Sequence, residues 1–281
     1  MPSLRYVVAD VFTDRPLEGN QLAVFTDARG IDEEMMQALA LEIGFSETTF
    51  VLPPEQGGTV RIRIFTPRSE LPFAGHPCLG TAWVLASSLQ RGVVELETMS
   101  GIVPVELERD ERGKIVFGRM SQPLPRVEPY PDPEALLRAL HVVDGSQLPV
   151  ERYDNGVRHT FVTLGSREEV AALRPDFSAL TELEVMVSCF AGSGTAWKTR
   201  VFAPWDGVPE DPATGSAAGP LVVHLCRHGR VEWGEWIEIS QGAEIGRPST
   251  LFARADARDG ELERVAVGGH AVVVARGEFR L

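Results

Sequence analysis

Hydrophobic positions fall mostly into short β-branched runs broken by Gly and Pro, with a few longer segments in helical spacing. The runs at 6–11, 21–26, 48–52, 59–65, 92–97, 156–164, 184–189, 196–202, 236–240 and 271–275 predict strands. Four segments predict helices. One covers 32–43, with Asp32 as cap and acids in its first turn, and one covers 78–89, opening after Pro77. The others cover 133–140 and 216–227, the latter closed by Gly229. Strands outnumber helices and the links are short, so a mixed α+β architecture is expected over a doubly wound parallel sheet. The stretch 121–134 carries prolines at 123, 125, 129, 131 and 133. It is stiff, extended and unsuited to a central strand, so it is expected to connect two domains, 1–122 and 123–281. The last strand of the second is free to return to the first.

The two halves echo each other. Arg-Ile-Phe-Thr-Pro at 63–67 matches Arg-Val-Phe-Ala-Pro at 200–204, and Pro72 matches Pro209 at the same offset of 137 residues. Each segment runs on into a Gly-containing turn and a helix start rich in small residues, at 73–82 and 210–219. An internal duplication at nearly half the chain length predicts two related domains. If they face each other, both helix starts meet at one cleft.

Composition narrows the functions. With 27 basic and 40 acidic residues, the formal net charge is −13, which opposes phosphate backbones and anionic lipid surfaces. No nucleic-acid or membrane partner is expected. No stretch approaches the ~20 apolar residues of a spanning helix. The N-terminal run is interrupted by Arg5 and Asp10 and lacks the apolar core of a signal peptide, so a soluble cytoplasmic protein is expected. Three cysteines, Cys78, Cys189 and Cys226, exclude a disulfide framework and leave no thiol metal cluster.

Candidate chemistry gathers at the two turns. Gly75 to Gly80 and Thr214 to Gly219 place small residues at helix N-termini, where unpaired N–H groups and the dipole end favour an anion. Neither matches a phosphate loop or a dinucleotide fingerprint. Read structurally, the same glycines serve tight turns and close packing. His76 lies in the first turn, Asp211 just before the second, and Glu47 at the start of an apolar strand. A carboxylate in an apolar cleft can shuttle protons near neutral pH, and opposed Glu and Asp groups can act as base and acid. Each also has a bland role: surface charge for Glu47, helix cap for Asp211, packed turn residue for His76. Cys78 reads as a packed residue, because a two-thiol racemase needs a partner in the second turn, which carries Ser216 and Ala218 instead. His224, Cys226 and His228 have the look of a metal cluster, but no acid accompanies them as a motif, and they read first as structural. Ser121 and the acids at 106–111 and 256–263 read as solvated loop and surface.

The motifs together resemble the PhzF-like phenazine biosynthesis family. The resemblance is carried by Asp-Val-Phe-Thr at 10–13, Gly-Asn-Gln-Leu-Ala-Val-Phe at 19–25 and Ser-Glu-Thr-Thr-Phe-Val at 46–51. The segments 63–67 and 70–77, then 210–219 and 241–249, continue it in order. Gln21 departs from it, standing where the family usually has Pro. The resemblance implies a diaminopimelate-epimerase-like fold, in which two similar domains each wrap a mixed sheet around a central helix, with the active site between them. It implies cofactor-free isomerisation with Glu47 as proton shuttle and His76, Asp211 and Ser216 as polar partners. Asn20, Gly75 and Gly215 would bind substrate, the glycines through backbone N–H groups to a carboxylate. No metal is implied, and a homodimer is. The function expected is isomerisation of a small carboxylate metabolite, of the trans-2,3-dihydro-3-hydroxyanthranilate isomerase kind. An amino-acid racemase or epimerase on the same fold, or a non-catalytic metabolite-binding protein, stands as the alternative.

Overall fold

The computed structural model describes residues 3–89, 91–143 and 145–281; Met1 and Pro2 of the N-terminal run lie outside them. The chain divides into two compact units, Met1–Ser121 with Gly268–Leu281, and Gln122–Val267.

The first unit contains β1 (Ser3–Val11), β2 (Asn20–Phe25), α1 (Glu33–Ile43), β3 (Glu47–Leu52), β4 (Val60–Phe65) and β5 (Glu70–Leu71). These are followed by α2 (Gly75–Leu89), β6 (Val93–Thr98), β7 (Gly101–Arg109) and β8 (Ile115–Gln122). Successive pairings run antiparallel β1/β2, parallel β2/β3, antiparallel β3/β4, parallel β4/β6 and antiparallel β6/β7. α1 starts as its sequence dictates: Asp32 accepts from the Met35 N–H, and Gly44 closes the helix in the left-handed conformation. Its apolar stripe, Met36, Leu39 and Ala40, packs on Phe25, Phe50 and Phe65, of which Phe25 and Phe50 stack at 4.8 Å.

The second unit contains β9 (Arg126–Pro129), α3 (Pro133–Ala139), β10 (Glu151–Asp154), β11 (Arg158–Thr163), α4 (Arg167–Ala172) and α5 (Phe177–Glu182). It continues with β12 (Val187–Ser193), β13 (Ala196–Ala203), β14 (Val208–Asp211), α6 (Gly215–Arg227), β15 (Ile237–Gln241), β16 (Ser249–Arg258) and β17 (Glu261–Gly269). Its pairings repeat the first unit's order: antiparallel β10/β11, parallel β11/β12, antiparallel β12/β13, parallel β13/β15 and antiparallel β15/β16. The matched turns at 63–82 and 200–219 therefore sit at equivalent places in two like topologies. The last strand, β18 (Ala271–Arg280), pairs antiparallel with β1 in the first unit.

Each unit is organised on one helix. α2 is buried from Gly75 through Trp83, and α6 from Gly215 through Cys226. A helix apolar on all sides requires cover on all sides, and the sheet supplies it. Close approach needs small residues: a Cβ on Gly80 would sit 2.6 Å from Leu22 Cδ2 and 2.7 Å from Val11 Cγ2.

The duplication extends to an ion pair. Arg63 on β4 grips Glu70 on β5 through two nitrogens, at 2.6 and 2.5 Å. Arg200 on β13 grips Glu210 on β14 likewise, at 2.8 and 2.7 Å. Each pair ties the short return strand that leads into the central helix.

Three expectations need correction. Residues 106–109 belong to β7, where Val103, Val105 and Leu107 are buried while Glu106 and Glu108 face solvent; the acids mark one face of a strand. Residues 256–258 and 261–263 likewise belong to β16 and β17, joined at Asp259 and Gly260, both with positive φ. Asp-Gly is a strong hairpin signal that the charge reading obscured. Ser121 lies in β8. In the proline-rich stretch, Arg126–Pro129 forms a strand on β10, and Pro133 opens α3 behind the cap Asp132.

Candidate functional site

In the first unit the sequence brings three candidates into contact. Asn20 opens β2, Glu47 opens β3, and the parallel register sets Leu22 opposite Glu47. His76 lies in the first turn of α2, with its ring 3% exposed. The Asn20 amide lies 3.2 Å from His76 Nδ1. His76 Nε2 lies 3.4 Å from Glu47 Oε2, whose side chain is 16% exposed. With Nδ1 turned toward Asn20, Nε2 is the ring nitrogen that faces the carboxylate. At 3.4 Å the two groups lie further apart than a normal hydrogen bond.

Two features fix this arrangement. Thr49 on β3 and Thr81 on α2 share a buried hydrogen bond of 2.8 Å, locking the strand of Glu47 to the helix of His76. Gly19, at φ 69°, turns the chain into β2, where a Cβ would strike the Val11 carbonyl. Asp10, 1% exposed, accepts from the Leu17 N–H at 2.7 Å and holds the same loop.

Burial pushes the His76 imidazole down to about 3, only partly opposed by a backbone hydrogen bond with Gln21. The ring is therefore neutral at neutral pH. It does not pin Glu47 with a positive charge. As pH falls below the usual imidazole range, the unfolded chain takes up a proton that the folded ring refuses, so stability falls. Between pH ~6.5 and ~5 this ring alone costs about 2 kcal/mol. Denaturant midpoints measured across that range should fall less steeply in His76→Asn than in the wild type.

In the second unit, Asp211 ends β14, and Gly215 and Ser216 open α6. The Thr214 hydroxyl donates to Asp211 Oδ2 at 2.6 Å. Gln241 braces both residues, donating to the Asp211 carbonyl at 2.8 Å and to Thr214 Oγ1 at 2.9 Å. Its Oε1 accepts from the Thr214 N–H at 3.2 Å and from Thr199 Oγ1 at 3.1 Å.

Two residues that sequence reasoning missed hold the start of α6 from elsewhere in the chain. Pro220 has no N–H, so the Ser216 carbonyl lacks its helical donor four residues on. The buried Asn155 supplies one, Nδ2 donating to Ser216 O at 2.9 Å, and Gln122 Nε2 donates to Gly215 O at 2.7 Å. A proline in a helix flanked by small residues signals the need for such a donor but does not say where it lies. Asn155→Ala should cost about 1–3 kcal/mol in chemical denaturation, because it strands a buried carbonyl.

Cys78 is buried and its thiol is pushed up to about 12 by that burial, so it stays a packed thiol. No helix among the described residues is long and apolar enough to cross a membrane.

A family model described as "Phenazine biosynthesis-like protein" matches residues 9–277. The chain is 50% identical over 278 residues to trans-2,3-dihydro-3-hydroxyanthranilate isomerase of Pseudomonas aeruginosa, covering 99% of both chains. The Pseudomonas fluorescens protein of the same name is 49% identical, over 98% of this chain and 99% of its own. A crystal structure of a PhzF-family phenazine biosynthesis protein from Bacillus anthracis matches with a TM-score of 0.86 at 25% identity, covering 100% of both chains. With the fold and the motif residues as described, the chain belongs to the PhzF-like phenazine biosynthesis family.

Proposed function

We propose that this isomerase acts on trans-2,3-dihydro-3-hydroxyanthranilate and moves a proton within its ring without a cofactor. The observation that carries the reading is Glu47 Oε2 at 3.4 Å from the neutral Nε2 side of His76. One C–H bond breaks and another forms, with Glu47 accepting the proton and returning it; the formula of the substrate is unchanged. The electron pair left by the first step spreads into the conjugated ring and its carboxylate. The N–H groups of Gly75 and Gly215, at helix N-termini, suit that charge. Asn20 holds the His76 ring, and Asp211 and Ser216 are polar partners of the same reaction. Identity of 50% to an isomerase of that name supports the substrate. The net charge of −13 supports a role without nucleic acid or membrane. A cytoplasmic homodimer is proposed on the family resemblance alone.

The test is direct turnover. Purified chain given trans-2,3-dihydro-3-hydroxyanthranilate should convert it without added metal or cofactor, followed by nuclear magnetic resonance of the ring protons. Racemisation of amino acids with no turnover of this substrate would move the reading to the epimerase alternative. Carboxylate binding with no turnover of either would leave a binding protein.

A further inference from the structure

The helix that opens at Gly215 closes on a second cluster, which the isomerase reading does not use. His224 and His228, four residues apart, face one side of the C-terminal turns of α6. The acid that the sequence did not reveal comes from β10. Glu151 Oε2 lies 3.2 Å from His224 Nδ1 and 2.9 Å from His228 Nε2, and the three ligand atoms all fall within 4.8 Å of one another. Cys226 does not join them; its Sγ is directed at the Glu232 carbonyl, 3.6 Å away.

One carboxylate oxygen is crowded here. Besides the two imidazoles, Glu151 Oε2 accepts from Tyr153 OH at 2.9 Å and from Arg227 at 3.2 Å. Four partners exceed the two lone pairs of an oxygen, so this point suits concentrated positive charge better than a set of neutral donors. Arg227 now supplies that charge from the rim, where its side chain is 39% exposed, and it can swing out.

We propose that Glu151, His224 and His228 form a binding site for a divalent transition metal ion of the zinc class, which staples the end of α6 to β10. Two imidazoles and one carboxylate, with a water in the fourth position, form a tetrahedral set that such ions accept. Tyr153 OH lies beside the site, 2.9 Å from Glu151 Oε2 and 3.2 Å from His224 Nδ1. The ion and Arg227 compete for the same oxygen.

The test uses the full chain without an affinity tag, stripped with a chelator and then freed of it. Zn²⁺ alone is titrated by calorimetry at neutral pH, and Co²⁺ by visible absorption. The expected result is one zinc per chain, a tetrahedral cobalt spectrum and a higher melting temperature with zinc. His228→Ala should weaken binding by at least ~10-fold; its ring is 20% exposed, and circular dichroism checks that the variant folds. Glu151→Gln should do the same, and Arg227→Met should bind several-fold more tightly. Failure of the wild type to take up zinc would overturn the proposal. Equal zinc affinity in the wild type and His228→Ala would also overturn it, since the ion would then be held elsewhere.

Discussion

Glu47→Gln should lower kcat on trans-2,3-dihydro-3-hydroxyanthranilate roughly a thousandfold while leaving KM within a few-fold, because it removes proton transfer and keeps shape. The amide fills the same space at the start of β3. It cannot take a proton from carbon. Glu47→Asp is a finer probe: the acid is retained but withdrawn from the position fixed by the Thr49–Thr81 bond, 2.8 Å long. A misplacement of about 1 Å can cost about a hundredfold, so this variant should fall between the two. Steady-state kinetics on folded protein, checked by circular dichroism, decides the point. A Glu47→Gln enzyme within tenfold of wild-type kcat would remove Glu47 from the proton path.

Arg200→Met should destabilise the protein by about 3–5 kcal/mol, the largest single loss expected outside the core. Arg200 and Glu210 have side chains only 6% and 8% exposed, so removing one leaves the other as an uncompensated buried charge. Arg200 also donates to the carbonyls of Val170, Ala171 and Leu173 at the end of α4, at 3.3, 3.2 and 2.8 Å. Those groups lose their partner too. The equivalent Arg63–Glu70 pair is 21% and 18% exposed, so water compensates more of its loss. Arg63→Met should therefore cost clearly less. Urea midpoints of the two variants, compared under one condition, test the ranking. Equal losses would mean that the burial difference does not govern these pairs.

Much of this architecture was legible because its strongest signals are local. The segments 75–86 and 215–226 are apolar or small on every side, which marks a helix that must be enclosed. The Arg-Ile-Phe-Thr-Pro echo pointed to a repeat, and the pairing order of the two units follows it. Asp32 and Pro133 announced their helices by capping chemistry. What stayed hidden depends on distance along the chain. The hydrogen bonds from Asn155 to Ser216, from Gln122 to Gly215 and from Glu151 to His228 span 61, 93 and 77 residues. No spacing rule reaches that far. α4 and α5, six residues each, are too short to show a period. β7, β16 and β17 carry charge on their solvent faces, and composition outweighed their alternation.

The site was legible in parts. Glu47 and His76 stood out as ionisable groups next to a strand start and a helix start, and the fold brings them within 3.4 Å. The neutral state of His76 was not visible, because it follows from complete burial of the ring. Gln241 was part of a quoted motif, yet its action on Asp211 and Thr214 emerges only when β15 lies beside the β14–α6 turn.

The central claim is that Glu47 carries the proton. It is tested most directly by running the reaction in heavy water and following deuterium at the ring carbons by nuclear magnetic resonance. The wild type should place deuterium at the carbon that receives the proton, because a carboxylic acid exchanges with solvent between accepting and returning it. Glu47→Gln should show neither isomerisation nor ring deuteration above the uncatalysed rate. Equal deuterium incorporation by the two proteins would contradict the account.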